Sequence, residues 1–200
     1  MSFYWADFKN VSNDVFRLDT RIFLSKVQKP SDSDVCVGAV VGKNPGSAKK
    51  SEARQGMQTI DLGGDKLLPT VRNVILKAYG EADRTPPPGA YIQVFNLFYL
   101  CDKNLGRAIE AFKVSSGPDQ CGSEHKPIPW VWYVWGRAAK NLDSYKRRFL
   151  SLETNKHFFF DGKAKEFAHR MPDESDFARH TQGLKHAFVV PHIADVIALR

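Results

Sequence analysis

The sequence predicts an α/β fold: a central, mainly parallel four-stranded sheet flanked by helices, in a single domain covering residues 1–200. Three observations carry this. Apolar runs with little polar alternation occupy residues 35–41, 91–99, 131–135 and 157–160, the pattern of strands buried on both faces. Stretches with helical spacing lie between them, and strands alternating with helices favour parallel pairing. The length and the 42% apolar content suffice for one core covered on both sides of a sheet.

Taken in order, residues 15–25 form an amphipathic first element of undecided type. The valine-rich run 35–41 ends at Gly42, a strand followed by a turn. From Pro69 to Tyr79, apolar residues at 71, 74, 75 and 78 mark one helix face, with Pro69-Thr70 at its start and Gly80 at its stop. Thr85-Pro86-Pro87-Pro88-Gly89 is a rigid loop before the strand 91–99. A helix is expected over 105–112, a loop over 117–129, a strand over 131–135 and a basic helix over 137–150. A short strand follows at 157–160. Residues 161–184 are polar and carry no assignment. A last strand is expected over 187–190, ending at Pro191-His192.

Composition narrows the function classes. The formal charge is +7. Such a balance suits a polyanionic partner, because each phosphate contact releases condensed counterions. The surplus is concentrated: residues 43–77 hold seven Lys or Arg against three acids, and residues 135–170 hold nine against four. DNA is therefore the expected partner. No apolar stretch is long enough to span a membrane, and the first residues lack a secretory pattern. A cytoplasmic monomer without an obligate protein partner is expected. Cys36, Cys101 and Cys121 are too widely spaced for a zinc or iron–sulfur site, and the six histidines follow no ligand spacing, so neither metal nor cofactor is expected.

The polar residues of interest stand where strands end: Asn44, Asn96, Gly136 and His192. In parallel sheets ligands bind beyond the carboxyl ends of the strands. Gly42-Lys43-Asn44-Pro45-Gly46 follows the first buried run. Leu68-Pro69-Thr70-Val71-Arg72-Asn73, Val94-Phe95-Asn96-Leu97, Trp135-Gly136-Arg137-Ala138-Ala139 and Val190-Pro191-His192 follow in order. Over residues 35–196 this series resembles the uracil-DNA glycosylase superfamily, in the branches with a Gly-x-Asn-Pro-Gly motif. It also resembles an uncharacterised bacterial branch with Asn-Pro-Ser-Thr. The Pro-Ser expected after the second-motif His is missing here.

The resemblance implies a uracil-DNA glycosylase-like fold and a monofunctional DNA glycosylase, which flips a base from the helix and hydrolyses its glycosidic bond. Asn44 and His192 would be catalytic: Asn44 orients the attacking water, and His192 donates to the departing base or holds the sugar. Gly42, Lys43, Pro45, Gly46, Phe95 and Asn96 would bind the substrate. Asn96 offers one donor and one acceptor to a base edge, and Phe95 or Tyr99 stacks on it. Gly63-Gly64 opens space for a bulky base. Lys49, Lys50, Thr70, Arg72, Arg137, Lys140, Arg147 and Arg148 are candidates for the DNA backbone. The base is uracil-like or modified, with a modified cytosine of viral DNA, and hence antiviral defence, as one case. Two other readings fit the same residues: a nucleoside or nucleotide hydrolase, and a DNA-binding protein without catalysis.

Overall fold

The computed structural model describes residues 1–46, 56–137, 142–154 and 156–199, together with the backbone of 49–50. Its strands are β1 (Ser2–Val11), β2 (Asp14–Val27), β3 (Val35–Gly42), β4 (Lys49–Lys50), β5 (Gly56–Asp61), β6 (Ala90–Asn96), β7 (Val131–Tyr133), β8 (His157–Asp161) and β9 (Glu166–Ala168). The helices are α1 (Leu67–Glu81), α2 (Leu105–Val114), α3 (Asp143–Arg147) and α4 (Val190–Ala198).

The expected four-stranded, mainly parallel sheet needs correction. Among the described residues the sheet is mixed and runs β4-β5-β1-β2-β6-β3-β7-β8-β9, with the two-residue β4 at its margin. Four neighbours, β6-β3-β7-β8, are parallel. The hairpin β1–β2 and β5 add antiparallel strands on one side, and β9 adds one on the other. The parallel strands are buried on both faces, and for that reason their sequences read as unbroken apolar runs. The N-terminal hairpin mixes charged and aromatic residues, which hides its period.

Two apolar layers cover the sheet. One holds α1 and α4, with Leu68, Val71, Ile75 and Ile193 over Val40, Ile92 and Val94. The other holds α2 and the segment 142–152, with Ile109 and Phe149 over Ala39, Phe95 and Tyr133. Helix α1 begins at Leu67, two residues before the expected Pro69, and runs past Gly80 to Glu81. Asp65 Oδ1 accepts the N–H groups of Leu67 (2.7 Å) and Leu68 (3.4 Å), two donors that a helix start leaves without partners.

A local irregularity in β2 determines what faces α1. Asp19 takes φ 38°, and the β1–β2 register shifts between Trp5 and Asp7. Beyond this bulge the strand presents its other side. Ile22 and Leu24 point to the α1 layer, whereas Phe16 and Leu18 point to the α2 layer. Arg17, between them, is turned beneath the start of α1.

Two further expectations change. Residues 187–190 are not a strand: a 3-10 turn at His186–Phe188 leads into α4, which carries Pro191 in its first turn. Proline pre-sets the helical φ there and lacks only an N–H that would have no partner anyway. The basic helix expected over 137–150 is described as the short α3 followed by a 3-10 turn at Arg148–Ser151. Residues 138–141 lie outside the described residues.

Candidate active site

The carboxyl ends of the parallel strands bring together the motifs that begin at Gly42, Val94 and Trp135. Gly42 ends β3 directly opposite Asn96 at the end of β6. Leu97 donates its N–H to the carbonyls of Gly42 (3.2 Å) and Lys43 (3.0 Å), so the first motif is tied to the second strand. A Cβ at Gly42 would lie 3.0 Å from Asn96 Oδ1. Glycine here leaves room for the Asn96 amide. Gly136 follows β7 with φ 84°, and a Cβ there would meet the Lys43 ammonium at 3.7 Å.

Asn96 is 0% exposed, and neither Oδ1 nor Nδ2 has a hydrogen-bond partner among the described residues. Buried amides are normally satisfied. Leaving both ends of one without partners costs about 1–3 kcal/mol per group. Asn44, half-buried, donates Nδ2 to the Asp102 carbonyl at 2.9 Å. That bond sets the amide's orientation and leaves Oδ1 as the end able to hold a water. Burial, and then Lys146, lowers the pKa of the Lys43 ammonium.

The segment after Phe177 crosses the same edge. Ala178 bridges both Gly136 and Asp161, and Gly136 donates to its carbonyl at 2.7 Å. His180 follows, half-buried. Its Nδ1 accepts the Gln182 N–H at 3.1 Å, so a neutral ring carries its proton on Nε2. Burial lowers its pKa below 6.5; Asp65 opposes this and Lys43 adds to it. Arg17 completes the cluster. It is 1% exposed, its Nη1 lies 3.8 Å from Asp65 Oδ2, and its Nε and Nη1 have no hydrogen-bond partner among the described residues.

No protein-family model, curated protein or solved structure matches this chain.

Several expected site residues lie elsewhere. His192 is in the first turn of α4, stacked on Phe167 of β9 (centroids 4.0 Å, planes 5° apart) and edge-on to His169 at 5.5 Å. Its contacts are with the outer strand of the sheet, whereas Asn44 follows a central one. Phe95 packs in the α2 layer, on the face opposite Asn96, against Phe149. Tyr99 is in the same layer and donates to Glu124. Neither ring reaches the Asn96 side of the sheet. Pro45 is buried behind Asn44, and Gly46 turns the chain with φ 67°.

The basic residues divide similarly. Arg72 donates to the carbonyls of Phe23 (3.2 Å) and Leu24 (2.7 Å), with its guanidinium 3.6 Å above the Phe3 ring. Arg148 donates to Glu124 (2.8 Å) and to the carbonyls of Asn96 (2.9 Å) and Leu97 (3.2 Å). Both are structural ties, a role that sequence gives no means of separating from a phosphate contact. Arg147 is exposed and paired with Glu174, and Arg137 is exposed beside Phe177. Thr70 is half-buried in the first turn of α1. The side chains of Lys49 and Lys50, and all of Lys140, lie outside the described residues.

His180, Arg17 and Asp65 are absent from the sequence-based set. The one signal for His180 was its place in a small polar turn, His180-Thr181-Gln182-Gly183, ahead of the last helix. Arg17 gave none, because it sits in an apolar stretch whose facing is reversed by the Asp19 bulge.

Proposed function

We propose that this chain is a monofunctional DNA glycosylase of the uracil-DNA glycosylase type, in which His180 takes the role first expected of His192. The observation that carries the reading is the Asn96 amide: fully buried, without a partner at either end among the described residues, and beside a glycine that leaves it room. Such an amide suits the edge of a flipped base, with which it would exchange one donor and one acceptor.

The remaining residues suit the reaction. The bond from C1′ of the sugar to the base nitrogen breaks, and its electron pair leaves with the base. Water then bonds to C1′ and loses a proton to solvent, giving an abasic site and a free base. Asn44 Oδ1 orients that water. It is no proton acceptor, so the mechanism needs the base largely departed before attack. The Nε2–H of His180 donates to the base oxygen next to the breaking bond. A fixed neutral donor lowers the cost of charge developing there without a proton transfer. Lys43 places positive charge at the same edge.

A nucleoside or nucleotide hydrolase on the same site is the second reading. It gains from one observation: Arg72 and Arg148, two expected backbone contacts, are spent on internal carbonyls. Mass spectrometry of bases released from uracil-containing, mismatched and hypermodified DNA, beside the free nucleosides, separates the two. Release from DNA only is the expected outcome. Asn44→Ala should slow single-turnover release about 10²- to 10³-fold with DNA affinity unchanged. Release from free nucleosides alone would replace the first reading by the second. Salt-dependent DNA binding without any release would leave a non-catalytic binder.

A further inference from the structure

Resting on the glycosylase reading, we propose that Arg17 is a specificity residue of the same pocket, which donates to an oxygen on the far edge of the bound base. The protein would then select bases with a keto or hydroxylated substituent at that edge and reject plain cytosine, which presents an amino group there.

The argument starts from position. Gly42 and Asn96 face each other at the ends of β3 and β6, and the start of α1 links them to Arg17: a Cβ at Gly42 would lie 3.6 Å from Leu67 Cδ2, Asp65 Oδ1 holds the Leu67 N–H, and Asp65 Oδ2 lies 3.8 Å from Arg17 Nη1. The Arg17 backbone N–H pairs with the Tyr99 carbonyl, three residues beyond Asn96, and the side chain extends under the start of α1. With the sugar at Asn44 and the base edge at Asn96, the far edge of a pyrimidine meets Arg17.

Chemistry points the same way. A guanidinium has donors and no acceptor, so whatever meets it must present an acceptor. A fully buried Arg is rare without full pairing. Here Asp65 lies 3.8 Å from Nη1, beyond hydrogen-bond length, and Asp65 Oδ1 is already engaged by two N–H groups of α1. The Nε and Nη1 donors have no hydrogen-bond partner among the described residues. Cys101, the other group acting on Arg17, is held as a neutral thiol by burial, which lifts its pKa to about 11. Arg17 is therefore positive and incompletely neutralised, at the same helix start that meets Gly42 beside the Asn96 amide. The negative charge carried by a departing base delocalises onto its keto oxygens, which makes the same contact stronger as the bond breaks.

The test uses the full chain, isotopically labelled, with the Arg17 Nε–H and the Asn96 side-chain amide assigned by NMR. Free uracil and 5-hydroxymethyluracil should shift both signals. Cytosine should leave Arg17 unmoved, and so should inorganic phosphate. An Arg17 shift with phosphate would mark a backbone anion site and overturn the inference. A shift at Asn96 alone would assign Arg17 to its pairing with Asp65 and overturn it too. The folded Arg17→Lys protein should bind uracil about tenfold or more weakly, the scale of one lost charge-assisted hydrogen bond. The wild-type spectra decide the matter should that variant not fold. Base release from DNA with Arg17 silent would sink the inference alone. Silence at both residues with no release from any DNA would sink the glycosylase reading with it.

Discussion

Two buried polar clusters lie on opposite faces of the end of β6, and they are built differently. On the α2 face, Glu124 accepts from Tyr99 (2.5 Å), the Cys121 N–H (2.9 Å) and Arg148 (2.8 Å), and Arg148 spends its other donors on the carbonyls of Asn96 and Leu97. On the α1 face, Asn96 has no partner at either amide atom among the described residues, and Arg17 has none there at Nε or Nη1. The first cluster is saturated and serves as a brace. The second holds hydrogen-bonding capacity that no described residue takes up, in a place where that is costly. Arg148 joins them, since the brace grips the backbone of the residue that would read the base.

The contrast can be broken most sharply at Glu124. Glu124→Leu leaves the Arg148 guanidinium buried and unpaired, so unfolding free energy should drop by about 3–5 kcal/mol in denaturant titrations. A loss under 1 kcal/mol would mean that the cluster is no brace.

Next in size is the catalytic comparison of two histidines. His180→Ala should slow single-turnover base release about 100-fold, while His192→Ala should leave the rate within a factor of about 3. The opposite ranking would return the role to the helix histidine.

Asn96→Leu tests the unsaturated cluster. Removing an amide with no partner should raise stability by about 1 kcal/mol, in contrast to the loss at Glu124, and should abolish base release. A destabilised Asn96→Leu protein would show that its amide is satisfied after all.

The smallest effect is the pH dependence. Burial lowers the pKa of His157, His180, His186 and His192 in the fold. Below the ordinary value of 6.5 the unfolded chain therefore binds more protons than the native one, and stability falls as pH falls. It should be level above that value and decline through pH 6.5 to 5 by Tm. His180→Gln should flatten the decline. Release should hold at pH 6.5 and fail only further below it, where the His180 ring, its pKa lowered by burial, takes a proton. A decline unaffected by His180→Gln would place the lowered pKa on the other three.

How far the sequence went differs between these clusters. Asn96 and Asn44 were legible because they follow apolar runs, and a strand end is a local property. Strands β3, β6, β7 and β8 were legible for the same reason, and α1 from its spacing. Glu124 and Arg148 were not separable from surface charges, since their pairing spans 24 residues and a turn of polar sequence. His192 was misplaced because Val-Val-Pro-His reads equally as a strand end and as a helix start.

By itself, then, the sequence determined the buried parallel strands, the helix above them and the asparagines at their ends, all consequences of hydrophobic period and turn chemistry within a dozen residues. Tertiary structure alone decided that Arg17 turns under α1, that the chain returns at Ala178 to bring His180 to the same edge, and that Arg148 braces rather than projects. The reason is physical. Each of these depends on which face of a sheet a residue occupies, or on which distant strand end a loop crosses. A single bulge, such as that at Asp19, reverses the first without altering the pattern of residue types.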